Sequence, residues 1–184
     1  MSLLDEAQER AVQLENKLRD HVDEVALESP TNVFTKLRAY LIKQSDEMHV
    51  NNDVSAALKM YREQENNVLI SLGPSFDKGP TSEHFYFDSG ARLSFGVTLQ
   101  QSASRSSLVA FRFHLHLPTG RSPEYLRFDL NPQAHADPLS EPRCHLHLGL
   151  DKVRLPLPVL GPFEILDRVF FVVEPALQAH PAGS

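Results

Sequence analysis

The spacing of hydrophobic positions changes near residue 67. Before it, Leu4, Ala7, Ala11, Leu14, Leu18, His21 and Val25 recur at alternating steps of three and four, the seam of an amphipathic helix with coiled-coil character. Glu6 with Arg10 and Glu15 with Arg19 stand four residues apart on its polar side, where opposite charges support a helix. Ser29-Pro30 reads as a stop and restart, a capping serine before a proline in the first helical turn. Phe34, Leu37, Leu41 and Met48 then form a second stripe, and Val54, Ala57, Leu58 and Tyr61 a third behind the Asn51-Asn52-Asp53 break. The pattern predicts helices over 3–27, 31–48 and 53–66, a helical arm occupying residues 1–67.

From Val68 the period is two. Phe85 and Phe87 alternate with polar neighbours, Ser89-Gly90 makes a turn, and Leu93, Phe95, Val97 and Leu99 return as the second half of a hairpin. After a serine-rich loop over 101–107, apolar rows follow at Phe111, Phe113, Leu115 and Leu117, at Leu126, Phe128 and Leu130, and at Cys144, Leu146 and Leu148. Short turns between them predict an antiparallel meander of five or six strands with one apolar and one polar face. Leu155-Pro156-Leu157-Pro158 reads as an extended proline-rich connector. Phe163, Leu166, Val169 and Phe170 have helical spacing, so 162–173 is expected to be a helix, with a sixth strand as the alternative. The fold class is therefore α+β: an N-terminal helical arm of about three helices, a sheet domain over 68–174, and a disordered tail over 175–184.

Composition adds three bounds. With 184 residues, 41% hydrophobic and 23% charged, the chain can build a core and is not disordered by composition. No apolar run reaches the roughly 18 residues of a membrane span, and no basic-then-apolar leader opens the chain, so no membrane association is expected. A single cysteine, Cys144, forms no internal disulfide, suits a cytoplasmic location, and falls on the apolar face as a small buried residue. The net charge of −6 is uneven. Residues 1–67 hold 8 basic and 13 acidic residues, whereas 92–154 hold 8 basic and 5 acidic.

Histidine carries the candidate chemistry: five of nine copies lie between His114 and His147. Alternation puts Arg112, His114 and His116 on the polar side of one strand, Tyr125, Arg127, Asp129 and Asn131 on the next, and Arg143, His145 and His147 on a third. Three readings of this face stay open. In metal-independent RNA cleavage, His114, His116, His145 and His147 act as general acid and base, Asp129 orients an imidazole, and Arg112, Arg127 and Arg143 bind phosphate. In a metal centre, the same four histidines ligate a divalent ion, although the arginines oppose it. In the third, a solvated sheet face simply carries polar residues.

The helical arm supports another class, a non-enzymatic subunit that meets a protein partner, or its own copy, through Leu4, Ala11, Leu14, Leu18 and Val25. The acidic helix could also mask the basic sheet face.

Leu126-Arg127-Phe128-Asp129, then His135 and Asp137-Pro138, then Cys144-His145-Leu146-His147-Leu148-Gly149, then Pro162–Asp167 together resemble the TumE-type toxins of bacterial toxin–antitoxin pairs. The resemblance covers about 40 of the 184 residues. It implies a small sheet with a nucleolytic face carried by Arg127, Asp129, His135, His145 and His147, and a toxin-like or defence-associated role. The chain departs from that family in lacking a longer contiguous histidine run and in its added N-terminal helices.

Overall fold

The alternating segments pair into one antiparallel sheet. A computed structural model of the chain describes residues 26–50, 52–63, 66–73, 84–103, 105–132, 142–150 and 152–180. Among these the sheet has nine strands: β1 (Ala26–Leu27), β2 (Leu58–Arg62), β3 (Asn67–Leu72), β4 (Phe85–Tyr86), β5 (Arg92–Gln101), β6 (Ser106–His116), β7 (Tyr125–Leu130), β8 (Cys144–Leu148) and β9 (Arg154–Pro156). Their order is β2-β3-β5-β6-β7-β8-β9, with β1 on β6 and β4 on β5. The fold is α+β, an antiparallel sheet followed by a C-terminal helix.

Two helices cover the apolar face. In α1 (Pro30–Glu47), Ser29 Oγ accepts from the Asn32 N–H at 3.3 Å and Pro30 opens the first turn, as the Ser-Pro pair predicts. Its buried stripe is Val33, Leu37 and Leu41. A single turn, α2 (Val54–Ala57), follows, capped by Asp53. The C-terminal helix begins as α3 (Pro162–Arg168), widens over Val169–Val173, where the Glu174 N–H reaches back five residues to the Val169 carbonyl, and ends as α4 (Glu174–Ala179). Tyr40 of α1 meets Phe163 and Phe170 edge-on at 6.2 and 5.7 Å, and its hydroxyl donates to Asp167 Oδ1 at 2.8 Å. Beneath them Phe85, Phe95, Phe113 and Leu115 are fully buried in one continuous core, each contributing about 1.5–3 kcal/mol.

Several sequence expectations change here. The segment predicted as a third helix over 53–66 is helical only through Ala57; Leu58–Arg62 forms β2 and pairs along β3, Leu58 opposite Leu72. The ladder with β3 outweighs the weak stripe, and Tyr61, expected on its apolar side, is exposed. The boundary drawn at residue 67 therefore falls inside a hairpin, and α1 shares its core with the sheet. Ala26 and Leu27, the end of the predicted first helix, pair with Ser107 and Ser106 of β6; the rest of that helix, with Leu4, Ala11, Leu14, Leu18 and Val25, lies outside the described residues. The proline-rich connector is strand at Arg154–Pro156, where β8 supplies a partner. Residues 174–179 are helical rather than part of a disordered tail, because Leu177 packs against the core and Glu174 is anchored. Residues 162–173 are helical, as their spacing predicts, and the alternative of a sixth strand falls away.

That anchor is specific. Glu174 is buried, and its carboxylate accepts from the Ser89 N–H at 3.1 Å, the Ser89 hydroxyl at 2.6 Å and Gln178 Nε2 at 3.0 Å. It ties the C-terminal helix to the β4–β5 turn. Glu174→Ala leaves the turn's half-buried donors without this acceptor and is expected to cost about 1–3 kcal/mol, read as a lower urea midpoint with an unchanged m-value.

Candidate functional site

Register turns the strands' polar positions into rows. One row crosses the sheet as Lys59, Ser71, Gly96, Arg112, Asp129, His145 and Pro156. The next is Ser94, His114, Arg127, His147 and Arg154, and a third is Arg92, His116 and Tyr125. Directly opposed residues point to the same side, so these side chains share one face. Arg143 stands just before β8, its carbonyl accepting from the Asn131 N–H at 2.7 Å. Cys144 is buried on the other face, as its alternation implies.

Asp129 is the only acidic residue in the nine strands, and it is 5% exposed. Its Oδ1 accepts from Arg112 Nε at 3.2 Å and its Oδ2 from Arg127 Nε at 2.8 Å. His147 Nε2 and His145 Nε2 stand 3.3 and 3.7 Å from the same Oδ2. The two rings are held from behind: His145 Nδ1 lies 2.7 Å from the Pro142 carbonyl and His147 Nδ1 3.3 Å from the Leu150 carbonyl. A carbonyl oxygen only accepts, so Nδ1 carries the proton on both rings, leaving Nε2 with a lone pair. Arg127 Nη2, 2.9 Å from His147 Nε2, donates to that lone pair. Burial holds both imidazoles below their ordinary pKa, and the Arg127 charge adds to this at His147. A proton on His147 Nε2 would face the guanidinium directly.

The second histidine pair stands apart. His114 and His116 stack at 4.0 Å, with Tyr125 edge-on to His114 at 4.8 Å and His84 edge-on to His116 at 6.3 Å. Burial first, then the neighbouring His116 and Arg127, depress His114 to about 4; burial, then Arg92, lowers His116. His84 was given no role by sequence and joins this group, because β4 lies beside β5.

The histidines thus divide. The donor atoms that lie within 4.8 Å of one another belong to Asp129, His145 and His147, not to four histidines. Two neutral imidazoles and a carboxylate are a suitable ligand set for a divalent ion. Yet Arg127 already donates to both Asp129 and His147, so a dication would have to displace a half-buried guanidinium. Arg127 is the cation of this centre, and the metal fit fails on that contact. His145 and His147, at 2% and 0% exposed, act on their surroundings through Asp129 and Arg127. Arg112, at 45% side-chain exposure, reaches outward from the same carboxylate. His135 and Asp137 lie outside the described residues.

Sequence reasoning missed Lys59 and Tyr61, assigned to a helix, and Arg154, given no role just ahead of the connector; the alternation of Val153, Arg154 and Leu155 was the available signal. Beside Arg112, a depression of about 210 Å³ is floored by Gly96, Thr98 and Ala110 and bordered by Asp129 and Asn131.

No protein-family model, curated protein or solved structure matches the chain. The toxin resemblance therefore rests on its residues alone.

Removing the shared acceptor is expected to destabilise the fold: Asp129→Ala takes away the carboxylate that both Arg112 and Arg127 reach and should cost roughly 1–3 kcal/mol by urea titration. The histidines set a pH dependence. Their folded pKa values lie below the unfolded value of 6.5, so below it the unfolded chain binds more protons. Thermal stability is expected to be level above pH 6.5 and to fall continuously toward about 4, the His114 value. His114→Phe should make that fall shallower.

Proposed function

We propose that the polar face of the sheet binds single-stranded RNA. The carrying observation is charge: Lys59, Arg92, Arg112, Arg127 and Arg154 occupy one face, with Arg143 beside them, against Asp129 as the only strand carboxylate. Such a face attracts a polyanion although the whole chain carries −6. Lys59 and Arg92 are exposed, and Arg112 reaches solvent from its contact with Asp129, where phosphates can meet them. Tyr61, 52% exposed, and the Tyr125–His114–His116 stack offer ring surfaces for bases, the combination used for unpaired nucleic acid. The floor beside Arg112 is made of small residues and leaves room for a sugar or base.

RNA is preferred to DNA on the toxin resemblance, whose implied role is nucleolytic. The geometry supports binding more strongly than cleavage. Acid–base cleavage needs one protonated and one neutral imidazole, whereas burial depresses all four on this face, and the two nearest Asp129 are inaccessible.

The test is fluorescence anisotropy with a labelled RNA of roughly 12 nucleotides in buffer containing EDTA. If about three phosphates are neutralised, log affinity should fall with log salt at a slope near −2. Arg112→Ala should flatten that slope by about 0.7, and Tyr125→Ala should weaken binding by about 1–3 kcal/mol. Absence of binding at low salt, or affinity indifferent to Arg112→Ala, would overturn the proposal. Shortening of the RNA in EDTA would show catalysis in addition.

A further inference from the structure

A second recess lies at the end of this face. It has a volume of about 380 Å³ and is lined by Arg92, His116, Thr119, Gly120, Arg121 and Glu124, with Leu117 and Pro118. The size falls within the range of small-ligand sites. Most of the lining comes from the connection between β6 and β7, which is closed by two backbone bonds, Arg121 N–H to Pro118 O at 3.1 Å and Leu117 N–H to Glu124 O at 2.9 Å. The third row of the polar face, Arg92 opposite His116 opposite Tyr125, leads directly into it.

Arg121 is the informative residue. Its Nη2 donates to the Leu177 carbonyl at 3.2 Å, which tethers the guanidinium to the C-terminal helix. Its Nε is buried and has no hydrogen-bond partner, and an unmet buried donor is a cost that a ligand oxygen would remove. Two guanidinium groups and an imidazole stand against one carboxylate, that of exposed Glu124. Charge and donor geometry both call for an anion with several oxygens on one centre, since the planar guanidinium fork matches phosphate.

We propose that this recess holds the terminal phosphate monoester of an RNA chain lying on the sheet face. This rests on the RNA-binding reading. A monoester carries about −1.5 to −2 charges and three free oxygens, whereas an internal diester carries one charge and two, so two arginines favour a chain end over its middle. Bases on the Tyr125–His114–His116 stack would then precede the end, which gives the face a direction as well as a charge.

Three versions of one RNA, with a 5′-phosphate, a 3′-phosphate or hydroxyls at both ends, distinguish the possibilities by competition anisotropy. One phosphorylated form is expected to bind at least fivefold more tightly than the hydroxyl form, and which one identifies the end. Thr119→Glu, at an exposed position, puts a carboxylate at the mouth and should abolish that preference while hydroxyl-ended RNA binds within twofold of before. Arg121→Ala should do the same, and the thermal melt of each variant shows whether it is folded. Equal affinity for the three RNAs, or a preference that survives Thr119→Glu, overturns the proposal. If no RNA binds, adenosine monophosphate against adenosine, followed by amide chemical shifts, separates the recess from the face. Shifts for the monophosphate alone, lost in Thr119→Glu, uphold the recess and reject the face; no shift with either rejects both.

Discussion

A carboxylate buried among cations decides what the rest of this sheet can carry. Asp129 accepts from two arginines and faces two imidazoles. Taking such a charge from water costs several kcal/mol, and only close, well-aligned partners repay it. Arg112 and Arg127 are those partners, and their reach depends on register. A slip of β7 by one residue would send Asp129 into the phenylalanine layer and Phe128 to the polar side. The network therefore constrains the β6–β7–β8 pairing as firmly as the core does. It also keeps Arg112 and Arg127 from folding back onto apolar surface and keeps one of them directed at solvent.

The two faces of the sheet divide the energetic work. On one, α1 and the C-terminal helix bury Leu37, Leu41, Ile165 and Leu166 over the phenylalanines, supplying the hydrophobic driving force. On the other, the strands carry five cationic residues and one carboxylate, Asp129. That concentration of like charge is tolerated because the opposite face holds the sheet in place. Binding of a polyanion would relieve the repulsion and release counterions, so the feature least favourable to folding is also the one best suited to association.

Sequence periodicity disclosed the central strands, the polar sides of β6, β7 and β8, and α1, because there strong alternation or a capping Ser-Pro coincides with burial. It failed at Leu58–Arg62, where Val54, Ala57 and Leu58 imitate a helical stripe and only the neighbouring β3 reveals a strand. It failed again at Arg154–Pro156, since two prolines in four residues suggest an extended linker until β8 is seen to supply an edge. The division of the histidines was not legible. Alternation puts four on one side, but the backbone carbonyls of Pro142 and Leu150 turn one pair toward Asp129, and ring stacking holds the other pair away. Those carbonyls belong to loop geometry, to which a two-residue period is blind.

The outer rim of the sheet has a consequence of its own. Strand β9 is three residues long, includes Pro156 and carries Arg154; at the opposite rim, β2 presents Lys59 and Arg62. A proline offers no amide hydrogen, and a short or charged border gives an incoming strand little to zip against. A strand with an apolar row such as Phe111, Phe113 and Leu115 is a template for further pairing when the sheet's margins are open. Here it is enclosed by margins that discourage growth, so the molecule can keep a nine-stranded sheet without polymerising along it.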